Sequence, residues 1–175
     1  MGSPEDLRAE AGEVLALLEP LGPVTPTGSY VSGLMVWRDL DVMLDGGADY
    51  RPADVVALLG RAVAIPGLTG FTYRDECGDR SPSGKPRDER HHITLTIGEW
   101  CVGLSIWLHD DHADVSAWHR ALAGRLTGEE RQAILDVKRV WHQRPEYCAY
   151  DVYTAVLEQG VRTGVEFGAW LRDRA

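Results

Sequence analysis

The segment Asp39-Leu40-Asp41-Val42-Met43-Leu44 constrains the chain more than any other. Its alternation predicts a β-strand with Leu40, Val42 and Leu44 on one face and Asp39 and Asp41 on the other. The apolar set demands a core behind it. The acidic set places two carboxylates side by side, an arrangement tolerated at an open, hydrated edge or where a divalent cation neutralises both. Upstream, Gly28-Ser29 reads as a small turn at the end of a short strand within 24–30. Glycine lets backbone N–H groups approach an anion closely, and a serine hydroxyl can donate to it. Mg²⁺ is commonly held by one or two carboxylates with phosphate oxygens completing its shell, so turn and acid pair suit the same chemistry.

The rest of the chain supplies the layers such a strand needs. Apolar positions at Leu7, Val14, Leu15, Leu17 and Leu18 predict an opening helix over 5–20, stopped by Pro20, Gly22 and Pro23. Val55, Val56, Leu58, Leu59, Ala62 and Val63 predict a helix over 52–64. Strands are expected over 68–74, 92–97 and 100–108, with a long polar loop over 75–90 between the first two and a tight turn at Gly98-Glu99. Helices are expected over 115–126, 128–142, 149–160 and 164–173, with Thr127 and Thr163 as caps. Short connections between the central strands predict a mixed, partly antiparallel sheet. The expected organisation is an α/β core over 1–112 and a helical part over 113–175 packed on it as one unit.

Gly28-Ser29, a spacer and Asp39-x-Asp41 on a strand resemble the signature of the nucleotidyltransferase superfamily, including its small antibiotic-adenylyltransferase-like members. The motif covers about 28–45, and the order of elements extends the likeness along the chain. The resemblance implies an α/β (α+β) fold with a mixed sheet flanked by helices and a C-terminal helical extension. It implies that Gly28 and Ser29 contact nucleotide phosphates, that Asp39 and Asp41 are catalytic and ligate Mg²⁺, and that Lys138, on a helix after the sheet, serves the phosphates. The implied reaction moves a nucleoside monophosphate from a nucleoside triphosphate to a small hydroxylated acceptor.

One departure stands out. Active members carry a third carboxylate on a later strand. On the strand from Cys101 to His109, Val102, Leu104, Ile106 and Leu108 form the core face, and the expected position falls at Gly103 or Ser105. Glu99, His109 and Asp110 are the candidates to replace it. The departure keeps a second reading open: a catalytically degenerate fold that binds a nucleotide or metabolite, or one component of a toxin–antitoxin-type pair.

His109-Asp110-Asp111-His112 contains metal-ligand types but reads first as a polar loop before a helix. Arg80, Lys85, Arg87 and Arg90 could act as a lid over a triphosphate, against the plainer reading of a solvated loop. Trp107, Trp118 and the tyrosines at 147, 150 and 153 are core or pocket wall. Cys77, Cys101 and Cys148 make no CxxC pair and are expected to be buried free thiols. A formal net charge of -9 argues against long nucleic acid and would suit a cationic acceptor such as an aminoglycoside. No segment is apolar enough to span a membrane, and the polar start MGSPEDLRAE points to the cytoplasm.

Overall fold

The structure, a computed structural model, describes residues 2–82, 86–109 and 112–174, with only the backbone described at Arg87 and His112. Helix α1 spans Pro4–Leu17. Ser3 caps it reciprocally with Asp6, and Leu7, Ala11 and Val14 form its buried stripe. Strand β1 is only Thr25–Pro26, and helix α2, Gly28–Ser32, follows at once. The expected strand over 24–30 is therefore cut short. Pro26 lacks the N–H that would continue the ladder, and Gly28, at φ +61°, turns the chain.

Strand β2 spans Asp39–Asp45 and helix α3 spans Pro52–Ala62, burying Val55, Leu58 and Ala62. Strands β3 (Leu68–Glu76), β4 (Arg90–Ile97) and β5 (Trp100–Trp107) complete a five-stranded sheet in the order β1-β2-β5-β4-β3. Only β2 and β5 run parallel. The loop expected over 75–90 is shorter than its composition suggests. Asp75 and Glu76 pair with His91 and Arg90, and Arg90 Nε donates to Glu76 Oε2 at 2.6 Å across the ladder.

Helices α4 (His112–Arg125), α5 (Gly128–Trp141), α6 (Ala149–Gln159) and α7 (Gly164–Arg174) follow. Thr127 and Glu130 form the anticipated capping box, and Glu166 N donates to Thr163 Oγ1 at 3.2 Å. None of the described helices is long and apolar enough to cross a membrane.

Two apolar clusters organise the layers. One joins α1 and α3 to the rear face of the sheet through Leu7, Val55, Leu58, Leu40, Val42, Val102 and Leu104. The other is built from α4 to α7 with Leu34 and Val36, around Ile134, Val137, Val152 and Phe167. The front face of the sheet, carrying Asp39 and Asp41, looks towards this helical cluster. The sheet is mixed, with helices against it, as expected for an α/β fold.

Candidate functional site

Register sets the front face. In the parallel pairing of β2 with β5, Asp39 stands opposite Cys101 and Asp41 opposite Gly103. On β4, Thr94 pairs with Gly103 and His92 with Ser105. Asp39 and Asp41 thus share one face with Cys101, Gly103, Ser105, His92 and Thr94, by the two-residue period of each strand.

The Gly28 turn closes over Asp41. A Cβ at Gly28 would lie 2.5 Å from Asp41 Oδ2, so only glycine lets backbone and carboxylate come this close. Thr27 N donates to the Asp41 carbonyl at 2.9 Å, which locks the turn to the strand. Behind it stands Lys138 of α5. Its ammonium is buried, donates to Ser29 Oγ at 2.6 Å and to the Leu34 carbonyl at 2.8 Å, and faces the Tyr153 ring at 5.8 Å. The side chain does not lie along a solvated face of α5 but crosses from the helical cluster to the turn.

Burial pushes the Asp39 carboxyl up to about 7, and neighbouring Asp41 adds to the shift. Lys138 and a hydrogen bond with Cys101 act in the opposite sense. Asp41 is raised for the same first reason, against the pull of Lys138 and Arg90. Two crowded acids therefore face one buried ammonium. A divalent cation fits this deficit: Asp39 and Asp41 could hold it, with phosphate and water oxygens completing the shell. The strand β5 adds no carboxylate. A Cβ at Gly103 would lie 3.0 Å from Asp41 Oδ1 and 3.6 Å from His92 Cε1, so the space for a third acid is flanked by an imidazole. His92, whose pKa is lowered by burial, passed in the sequence as an ordinary strand residue. Only the β4–β5 register brings it here.

A cavity of about 550 Å³ opens above the turn, lined by Gly28, Ser29 and Asp41 and walled by α4 and α6 through Trp118, His119, Tyr150 and Tyr153. His119 meets Trp118 edge-on at 4.9 Å, and its buried Nδ1 has no partner. Burial, then Lys138, hold its pKa down to about 4, so the ring is neutral and can offer a lone pair to a bound group.

The remaining candidates lie elsewhere. Glu99, highly exposed, pairs with Arg38 at 3.4 Å, and His109 Nε2 lies 3.6 Å from Glu89. Asp110, Asp111, Lys85 and the side chains of His112 and Arg87 fall outside the described residues. Arg80 is engaged with Asp75 and Arg90 with Glu76, so neither is a free lid cation. Trp107 is buried beneath Arg90 and does not line the cavity. The thiols are free, but Cys77 and Cys101 are half-buried and Cys148 is exposed, because each sits at a strand or helix boundary and not in an apolar core.

No protein-family model and no curated protein matches the chain. Solved structures do. The GLD-2/RNP-8 complex matches at 14% identity and a TM-score of 0.57, over 86% of this chain and 57% of that one. Cid1, described for its RNA terminal uridylyl transferase activity, matches at 13% and 0.54, over 88% and 46%. A cytoplasmic RNA terminal U-transferase matches at 17% and 0.54, over 89% and 47%. The chain spans about half the length of these structures. At such identities the likeness is one of fold, and the chain accordingly carries the nucleotidyltransferase fold.

Proposed function

We propose that the chain is a nucleotidyltransferase that moves a nucleoside monophosphate from a nucleoside triphosphate to a hydroxyl acceptor. The observation that carries this reading is the convergence of Gly28, Ser29 and Asp41 on the lining of an aromatic-walled cavity, with buried Lys138 fixed to Ser29 behind them. Asp39 and Asp41 would hold Mg²⁺, which supplies charge neutralisation and Lewis-acid polarisation at the reacting phosphate. Gly28 lets the triphosphate come against the backbone. Lys138 fixes the Ser29 hydroxyl, and its charge is already in place where phosphate charge accumulates, so no reorganisation is needed. The flat rings of Trp118, Tyr150 and Tyr153 offer a platform for a base or acceptor, and the neutral His119 offers an acceptor atom beside them.

The acidic balance of the chain supports a small, cationic, hydroxylated acceptor over a long nucleic acid. RNA enters as the rival acceptor because solved structures of this fold are described for RNA terminal uridylyl transferase activity. A second reading, nucleotide binding without turnover, rests on Gly103 in place of the third acid.

Pyrophosphate release separates these readings. The chain is incubated with Mg²⁺ and each of ATP, GTP, CTP and UTP, with polycationic sugars or short RNA ends as acceptors. Release that requires Asp41 supports transfer, and the productive acceptor fixes its class. A nucleotide-dependent rise in melting temperature without release supports the binding reading. In that case Gly103→Asp should restore turnover by about 100-fold, the scale of a recovered general base. Neither release nor a thermal shift would sink both.

A further inference from the structure

On the rear face of the sheet, away from the acid pair, β3 and β4 end in a cluster of a different chemical kind. Asp75 and His91 are direct partners in the antiparallel ladder, and Cys77 lies one step past the end of β3. One ligand atom from each of the three lies within 4.8 Å of the others. His91 Nδ1 is 3.9 Å from Asp75 Oδ1. In a tetrahedral zinc site, ligand atoms at the usual bond lengths stand about 3.3–3.8 Å apart, so the cluster needs to contract by about 1 Å.

We propose that Asp75, Cys77 and His91 form a binding site for a zinc-class cation. The donor set of thiol, imidazole and carboxylate suits Zn²⁺ or Co²⁺ and not Mg²⁺, which prefers an all-oxygen shell. His91 is 2% exposed, and its Nδ1, the ring atom beside Asp75, is held in place by the Tyr73 hydroxyl at 3.0 Å. The carboxylate is already braced for the role. Arg80 Nη2 holds Asp75 Oδ2 at 2.6 Å, which leaves Oδ1, the acceptor of the Cys77 N–H at 3.2 Å, facing the other two ligands. Such outer contacts orient a ligating carboxylate.

Without a cation the Cys77 thiol is protonated and donates to the Arg90 carbonyl at 3.7 Å, since burial and nearby Asp75 push it up to about 12. On binding, the S–H bond breaks, the sulfur lone pair goes to the ion and the proton goes to solvent. The Tyr73 hydroxyl leaves Nδ1, which it can do because Tyr73 is 36% exposed. Water fills the fourth position. The ion then ties both ends of the segment between β3 and β4, and fixes the start of β4, where Arg90 and His92 alternate onto the front face.

The test is a Co²⁺ titration of the full, metal-stripped chain, read by the thiolate-to-cobalt charge-transfer absorption. This signal comes from sulfur ligands, so Co²⁺ held by the carboxylates of Asp39 and Asp41 alone does not produce it, and Cys101→Ser removes the thiol that stands beside them. A saturating band is expected that survives Cys101→Ser and Cys148→Ser, vanishes in Cys77→Ser, and shifts to at least about tenfold higher Co²⁺ in Asp75→Asn. Zn²⁺ should displace the band and raise the melting temperature of the wild type but not of Cys77→Ser. Absence of a band in the wild type, its persistence in Cys77→Ser, or its loss in Cys101→Ser would overturn the proposal. These outcomes are independent of whether the front face transfers nucleotides.

Discussion

Leu40, Val42, Val102 and Leu104 on the rear of the sheet are each at most 1% exposed and pack beneath α1 and α3. One residue away along the same strands Asp39, Asp41 and Cys101 face the helical cluster, joined by His92 of neighbouring β4, with two acids raised in pKa and an imidazole lowered. The rear face lowers the free energy of folding by burying apolar area. The front face raises it, because charges are desolvated there with incomplete compensation. A sequence retains such an arrangement where a ligand completes the compensation, so the contrast between the faces separates what folds the chain from what the chain acts with.

The contrast is broken most sharply by neighbouring substitutions on β2. Asp41→Asn should reduce the proposed nucleotidyl transfer by about 10³-fold or more, on the scale of losing a principal electrostatic contact, while leaving the metal-free protein at least as stable. Val42→Ala should do the opposite: about 2 kcal/mol of stability lost to a cavity, with turnover per folded molecule retained. Activity assays paired with urea denaturation read both. Loss of turnover in folded Val42→Ala, or unfolding of Asp41→Asn, would erase the distinction.

The Lys138 substitution comes next. Replacing it with Met keeps the length of the side chain but removes the only buried ammonium among the described residues. The acid pair then loses its compensation, and Ser29 and the Leu34 carbonyl lose their donor. The expected cost is about 3 kcal/mol, the scale of breaking a buried ion pair, and Asp39→Asn in the same chain should recover part of it. Additive losses in the double variant would show that the ammonium and the acids act separately.

How much of this the sequence carries depends on the range of the interactions. Strand β2 and its two faces are legible because alternation is local, and the caps at Thr127 and Thr163 are legible because a capping box spans four residues. Gly103 is legible as the missing acid for the same reason. The burial of Lys138 is not, because its partners Ser29 and Leu34 lie more than a hundred residues away in the chain and nothing on α5 itself marks the lysine as inward. His92 beside Asp41, and Asp75 and Cys77 beside His91, depend on strand register, which composition does not encode. The loop over 75–90 misled for a related reason: charged residues there extend the strands because Glu76 and Arg90 pair across the ladder.

A smaller effect sharpens the comparison at the Gly28 turn. Gly28→Ala places a methyl against Asp41 Oδ2 at a backbone φ of +61°. The left-handed backbone costs roughly 1 kcal/mol for an L-residue, and the carboxylate must rotate away. Stability should fall by about 1–2 kcal/mol while the affinity for Mg²⁺, read by calorimetry, falls about tenfold. Gly47→Ala, also at positive φ but with open space around it, should cost the backbone term alone and leave Mg²⁺ binding intact.

The mildest expectation concerns pH, where the raised acids Asp39 and Asp41 pull against the lowered imidazoles His92 and His119 on the helical side of the sheet. Asp39 sits near 7 in the fold against an ordinary value of 3.8, so between these limits the folded state binds more protons than the unfolded one. Its penalty is complete above about pH 7, and stability rises as pH falls towards 4. His119 sits near 4 against an ordinary 6.5, so the unfolded state binds more protons there, and stability is lost as pH falls from 6.5 to 4. The wild type should therefore show a shallow profile over that range. Single variants tilt the balance: relative to the wild type, His119→Gln should gain stability on acidification and Asp39→Asn should lose it, while Asp41 and His92 keep the rest of each arm. Each arm amounts to roughly 1–2 kcal/mol once partial exposure of the side chains is allowed for. Urea midpoints followed from about pH 4 to about pH 8 read both slopes. Saturating Mg²⁺ should abolish the Asp39 arm alone, because a cation on the acid pair keeps it ionised while His119, on α4, goes on titrating as before. A profile in Asp39→Asn that is unchanged from wild type would place the strain of the front face on some other group.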